Sequence, residues 1–444
     1  MKKCILALVA IAMASGLAWG QVIDAAEGVG SVESRFSNGR FTSDVDDYKD
    51  PAFYDPNIGN FVFLGGYGDA GVPSGKVSVG FGKTINEKAY MALFYAGEPV
   101  VASGDYHDPD TPGNPDKKIT NLTAVWNSRL ALMFGAANMG FRFDMILDNI
   151  NEVNSTYDGK IDMRTVRGDA AIGLTWGALM GFGGEKDNFA PYLSLGFVFP
   201  DVTTVSDGAH DNYATMTAGG DLLFQGAVWF GLKDNQEMFT RLTFGIHFAD
   251  SYKGDKDAIA MLYPGADKDF TEGGGVRLEL YAEYQKALTF GDATVKILPN
   301  ITLGLGSVSN NNTLYNYKVA SNDWFSAAVG LEVGAEYKHG KIGLYSGLGF
   351  QIFEYVATYH VGGDNDYKNK DSHWRFEGLK WTDPNGYLKF GVTFTPIDNM
   401  VFGAGLSGTI PYIDPQSMVV NVPNDTIWNI LGQTNLALTV SYKF

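Results

Sequence analysis

The stretch Asn435-Leu436-Ala437-Leu438-Thr439-Val440-Ser441-Tyr442-Lys443-Phe444 decides the fold. Successive side chains of a β-strand point to opposite faces. Leu436, Leu438, Val440, Tyr442 and Phe444 therefore share one face, and Asn435, Ala437, Thr439, Ser441 and Lys443 the other. One face suits an apolar medium and the other a polar one.

The same two-residue period recurs upstream. Val276, Leu278, Leu280, Ala282 and Tyr284 alternate with Arg277, Glu279, Tyr281, Glu283 and Gln285. Val295, Ile297, Ile301, Leu303 and Leu305 alternate with Lys296, Asn300, Thr302 and Gly304. Phe325, Val329, Leu331, Val333, Ala335 and Tyr337 stand against Ser326, Gly330, Glu332, Gly334 and Glu336. Shorter examples oppose Phe141, Phe143 and Met145 to Arg142 and Asp144, and Leu242, Phe244, Ile246 and Phe248 to Arg241, Thr243 and His247.

A soluble sandwich also alternates, so the connections carry the distinction. Short turns (136–138, 234–236, 338–341, 397–399) alternate with long polar stretches near 98–118, 201–218, 250–272, 357–384 and 412–432. Outer-membrane barrels have this asymmetry, with short periplasmic turns and long external loops. Closure is also required, because an open sheet edge in hydrocarbon leaves backbone groups unpaired. The expected fold is all-β: a transmembrane antiparallel β-barrel over residues 61–444. Its sixteen strands fall at 61–68, 75–84, 88–97, 119–135, 139–148, 166–178, 188–200, 219–232, 237–249, 273–287, 292–307, 323–337, 341–356, 385–396, 399–411 and 433–444. Fourteen is the alternative count, since 61–68 can join the N-terminal segment and 219–232 is apolar on both faces. Trp126, Trp176, Phe199, Trp324, Tyr337, Tyr345 and Phe394 are candidates for aromatic girdles at the two interfaces.

The final strand, with an aromatic at Tyr442 and another at Phe444, resembles the C-terminal assembly signature of bacterial outer-membrane β-barrel proteins, the porins among them. That resemblance implies that Tyr442 and Phe444 are read by the barrel-assembly machinery and that the last strand pairs with the first. It also implies outer-membrane lipid as the surroundings and a homotrimer as the assembly, although no residue here marks an interface.

The chain opens with Lys2 and Lys3, an apolar run from Ile5 to Met13, and Ala18-Trp19-Gly20, so residues 1–20 read as a signal peptide cleaved before Gln21. Its removal takes the single cysteine, Cys4, and two lysines from a chain whose formal charge is already −17. The mature chain then carries no thiol chemistry, and so acidic a surface excludes binding to nucleic acid through basic patches. Residues 21–60 are polar and rich in turn signals (Asp50-Pro51, Asp55-Pro56-Asn57), which suits a periplasmic segment or a plug. Asp50-Pro51-Ala52 only echoes the N-terminal Asn-Pro-Ala motif of the fatty-acid-transporter barrels.

No catalytic constellation emerges. The six histidines have no metal-ligand spacing, and Gly405-Leu406-Ser407-Gly408 falls short of a nucleophile elbow. Asp105, Asp108, Asp110 and Asp116 cluster in one loop and Asp364, Asp366 and Asp371 in another, where Lys368 and Lys370 occupy places a calcium loop gives to oxygen ligands. Solvated loop charge is the expectation, with no metal, no cofactor and no enzyme. The candidate pore-lining residues are the charged members of the polar faces: Arg142, Asp144, Arg241, Arg277, Glu279, Glu283, Lys296, Glu332, Glu336 and Lys389. Opposed charges across a lumen order water and set ion selectivity. The expected function is a porin-like channel in the bacterial outer membrane for passive diffusion of small hydrophilic solutes or ions, with 98–118 or 250–272 as an infolded loop. The alternatives are a plugged barrel moving hydrophobic substrates and a surface adhesin or receptor that uses its long loops.

Overall fold

A computed structural model describes Ala52 and residues 60–444, apart from 70–74, 108–117, 137, 158–159, 201, 208–211, 264–265, 310–320, 362–373, 378–386 and 410–433. The expected signal peptide and most of the acidic loop positions lie outside the described residues.

In chain order the strands are β1 (Phe61–Asp69), β2 (Gly75–Asn86), β3 (Ala89–His107), β4 (Lys118–Ala136), β5 (Met139–Tyr157), β6 (Lys160–Ala178), β7 (Phe189–Val198), β8 (Val202–Asp207), β9 (Asn212–Thr217), β10 (Asp221–Leu232) and β11 (Gln236–His247). They continue with β12 (Asp250–Gly254), the helix α1 (Lys256–Leu262), β13 (Phe270–Glu272), β14 (Gly275–Phe290), β15 (Ala293–Ser309), β16 (Ser321–His339), β17 (Ile342–Val361), β18 (Trp374–Glu377), β19 (Tyr387–Ile397), β20 (Met400–Thr409) and β21 (Thr434–Lys443). Each of β1 to β6 pairs antiparallel with the next. The wall then runs β7–β10–β11–β14–β15–β16–β17–β19–β20–β21. It closes where β21 lies antiparallel to β1, with Phe61 opposite Lys443 and Asp69 opposite Asn435. The result is a closed barrel of 16 antiparallel strands. The chain's last backbone N–H completes the seam, Phe444 N donating to Asn60 O at 2.9 Å.

Alternation becomes inside and outside. Val62, Leu64, Phe81, Leu93, Phe141, Phe143, Leu174, Leu195, Phe224, Leu242, Leu280, Leu344, Phe390 and Leu438 are all exposed, and all stand on the outer face. In water such a continuous apolar surface is untenable; in lipid it is the expected exterior. The short turns at 87–88, 233–235, 291–292, 340–341 and 398–399 gather at one end of the barrel, which is the periplasmic end by the asymmetry above.

The structure departs from the sequence expectation in several places, and the expected loop 357–384 itself holds the end of β17 and the short β18. Residues 98–107 are not loop. They continue β3 and pair with β4 out to His107–Lys118, and β5 and β6 likewise pair out to Tyr157–Lys160. Residues 201–218 and 250–272 are not simple loops either. β8, β9, β12 and β13 form a small sheet beyond the barrel rim, paired β6–β8–β9–β12–β13. The helix α1 completes a separate core of Ala214, Tyr252, Ala258, Ile259, Ala266 and Phe270, in which Tyr252 and Phe270 stack at 4.3 Å. Pro200, Gly219-Gly220 and Gly273-Gly274 interrupt the strands along the line where this lobe leaves the wall. Gly273 and Gly274 take φ of 80° and 101°, which a side chain would resist.

Candidate functional site

The inner wall is built from the polar halves of the alternating strands, interleaved with glycine and with aromatic rings lying flat. Inward Phe61 faces Gly82 and inward Tyr90 faces Gly135 across the ladder. A Cβ at Gly82 would stand 1.9 Å from the Phe61 ring, and one at Gly135 2.1 Å from the Tyr90 ring. These rings therefore occupy the space that glycine leaves on the neighbouring strand. With Phe63, Ala92, Phe94, Ala131 and Met133 they form an apolar inner patch on β1 to β4.

The opposite half of the wall is charged. Arg241 Nη2 lies 3.4 Å from Glu279 Oε1, and its guanidinium sits over the Tyr281 ring at 5.2 Å. Tyr281 Oη donates to Glu283, which is 2% exposed. Arg277 shares the inner face of β14 with Glu279, and Lys296 on β15 bonds Glu336 on β16. Glu332 falls opposite Leu298 on the same face. Across the barrel, Arg142 and Asp144 of β5 pair at 3.0 Å, with Asp144 fully shielded. Lys389 takes its place in the ladder between Gly347 and Ser407, and its side chain is outside the described set.

Pairing thus brings Arg241, Arg277, Glu279, Glu283, Lys296, Glu332 and Glu336 onto one continuous inner surface across β11, β14, β15 and β16. It leaves Arg142 and Asp144 on another. Several neighbours were not singled out from the sequence. Trp229 Nε1 donates to Glu237 at 2.8 Å, and Gln225 donates to Thr243 at 3.2 Å. His247 Nδ1 lies 2.8 Å from Asp221, and its Nε2 3.7 Å from Asp250, at the rim where the lobe begins. The alternation marks Glu237, Thr243 and His247 as inward, but only the pairing of β10 with β11 brings Asp221 to His247. Of the girdle candidates, Phe199, Tyr337 and Phe394 are exposed on the outside. Tyr345 is not: it turns inward, buried over Gly343 and 3.5 Å from Thr393 Oγ1, a correction to the sequence expectation. The side chains of Trp126 and Trp324 lie outside the described set.

One residue of the N-terminal segment is placed inside. Ala52 is buried among inward Ala190, Ala227, Trp229, Phe239 and Tyr281, close to Gly177. Among the described residues no group of three His, Cys, Asp or Glu side chains could hold a metal ion.

A closed antiparallel wall, apolar outside and charged inside, with its short turns at one end, defines an outer-membrane β-barrel protein of bacteria. No family model matches the sequence, and no curated protein matches it. Solved structures with a similar course include CdiB from Acinetobacter baumannii, 9% identical, with a TM-score of 0.39 over 86% of this chain and 59% of that one. The chain therefore spans well under two thirds of the length of CdiB. They also include the ferric-catecholate import receptor Fiu from Escherichia coli K12, 9% identical, TM-score 0.37, over 88% and 83%. A third is the ferric yersiniabactin uptake receptor FyuA from Yersinia pestis, 9% identical, TM-score 0.36, over 87% and 80%. Likeness this distant carries no argument about substrate or activity.

Proposed function

We propose that the protein is a channel for the passive diffusion of small hydrophilic solutes or ions across the outer membrane, with a preference for cations. The observation that carries this reading is the charged inner surface of β10, β11, β14, β15 and β16. Asp221, Glu237, Glu279, Glu283, Glu332 and Glu336 there face Arg241, Arg277 and Lys296. Such a wall suits water and ions rather than lipid. Its carboxylates outnumber its fixed cations, which raises the local cation concentration. A 16-strand barrel is wide enough for an aqueous path.

The test is reconstitution in planar bilayers. Stepwise conductance with a cation-selective reversal potential in a salt gradient is the expected result, and silent bilayers at high protein dose would contradict it. The apolar inner patch around Phe61, Phe94 and Met133 favours a second reading, a barrel that conducts poorly and admits a hydrophobic substrate. Lipid or detergent retained in the lumen of a silent barrel would select that reading.

A further inference from the structure

The lipid-facing side of β15, β16, β17, β19 and β20 carries a depression. Outward Ala335 on β16 lies opposite Ser346 on β17, and these two small side chains are flanked by outward Val295 on β15 and Phe390 on β19. The next row toward the periplasmic end holds Tyr337, Leu344 and Val392 and ends on Ala404 of β20. Tyr337, Leu344, Phe390 and Val392 stand exposed, whereas Ala335 and Ser346 sit half-buried among them. The relief makes an apolar groove of about 660 Å³.

On this face the groove opens into hydrocarbon, not water. A slot between bulky apolar side chains loses dispersion contacts unless something flexible and apolar fills it. An acyl chain has that chemistry.

The turn beneath the groove matches the other end of such a lipid. β16 and β17, which supply its floor, are joined by Lys338-His339-Gly340-Lys341 at the periplasmic end. The other short turns of that end are neutral or acidic: Glu87-Lys88, Lys233-Asp234-Asn235, Gly291-Asp292 and Asp398-Asn399. Two lysines with no carboxylate among them are therefore singular for a chain of formal charge −17. His339 Nδ1 lies 2.6 Å from Asp292, and its ring is stacked on that of Tyr337, 6.2 Å away, so the turn continues directly into the groove wall. Lys338 Nζ stands 5.5 Å from the Tyr345 ring, and Lys341 donates to the Pro396 carbonyl; both lysines are exposed. The depth also fits. The headgroup layer is about 5–7 Å thick on each side of a bilayer, and Ala335, three residues from Lys338, is about 10 Å along the strand. Lysines at the headgroups thus put the Ala335–Ser346 floor beside the acyl chains, with Tyr337 at the boundary where tyrosine is favoured.

We propose that the outer groove over Ala335 and Ser346, with the Lys338–Lys341 turn beneath it, binds one anionic phospholipid of the periplasmic leaflet, its phosphate at the lysines and an acyl chain in the groove. This goes beyond the functional reading and rests on the outer-membrane wall alone, whichever solute passes.

Native mass spectrometry tests it. The full-length protein in mild detergent is given equal amounts of phosphatidylglycerol and phosphatidylcholine with the same acyl chains, and the intact barrel is weighed. One phosphatidylglycerol retained per barrel, at several times the occupancy of phosphatidylcholine, is expected. Lys338→Gln with Lys341→Gln should bring the two lipids to equal occupancy. Ala335→Phe should lower the retention of both, and Ser346→Leu serves the same purpose if the first variant folds poorly. Equal retention of both lipids by the parent, a preference that survives loss of both lysines, or retention unchanged in a folded barrel with its groove filled would overturn the proposal. A parent that weighs as an oligomer and falls to monomers in Ala335→Phe would also overturn it, by giving the groove to a second copy of the chain.

Discussion

Arg241 on β11 and Glu279 on β14 bring opposite charges within 3.4 Å on the inner wall, and the buried Arg241 Nε has no hydrogen-bond partner among the described residues. Removing one partner strands the other in a poorly hydrated place. Glu279→Ala is expected to cost roughly 2–3 kcal/mol in urea unfolding from detergent micelles, and the double replacement with Arg241→Ala less than the sum of the two. In bilayers, Glu279→Gln should move the reversal potential toward anions and Arg241→Gln toward cations. Equal potentials for both variants and the parent would remove these residues from the ion path.

The Phe61 ring on Gly82 gives a packing prediction. Gly82→Ala forces a buried ring out of a place with no alternative, at an expected cost of about 1–3 kcal/mol. Gly226 supplies the control. Its nearest neighbour to an added Cβ is Leu193, 4.0 Å away, so Gly226→Ala should be close to neutral. Unfolding midpoints of the two variants settle the comparison, and equal midpoints would contradict the ring-on-glycine arrangement.

The outer face gives a third prediction. Leu280 is 41% exposed in the middle of the apolar outer stripe of β14. Leu280→Arg should destabilise the barrel in bilayers by about 2–4 kcal/mol, whereas Thr302→Arg, on the inner face of β15, should not carry that lipid penalty. Reversible folding into lipid vesicles compares them, and equal losses would argue against the assignment of faces.

At the closing seam Tyr442 and Phe444 stand on the outer face with their rings stacked 6.1 Å apart. If they serve as an assembly signal, deletion of Phe444 lowers the folded fraction in cells while the purified variant still refolds in detergent. A failure in both settings would mark Phe444 as a structural residue instead.

Much of the barrel was legible in the sequence wherever one face meets lipid and the other does not. Residues 276–284 and 295–305 read correctly because Leu280 and Glu279 answer to different surroundings. The same rule explains what was hidden. β10 is apolar on both faces because its inner residues Ala227 and Trp229 pack against Ala52, a contact that no local pattern announces. β1 looked doubtful for a similar reason, since inward Phe61 and Phe63 pack on glycines rather than facing water. The extensions of β3, β5 and β6 lie beyond the apolar band, so no alternation marks them. The outer lobe was concealed because Pro200, Gly219-Gly220 and Gly273-Gly274 are loop signals that here bend strands instead of ending the sheet. In the candidate site the inward positions followed from parity, but partners such as Asp221 with His247, 26 residues apart, needed the strand order.

The separation of lipid from interior along β14 is the central claim, and fluorescence quenching measures it most directly. Single cysteines at 276 to 284, placed in a Cys4→Ser background and labelled with a small fluorophore, are reconstituted into vesicles containing lipids with nitroxide-bearing chains. Strong quenching at 276, 278, 280, 282 and 284, with weak quenching at 277, 279, 281 and 283, is the predicted result. Uniform quenching along the strand, or none, would contradict a barrel wall at this place.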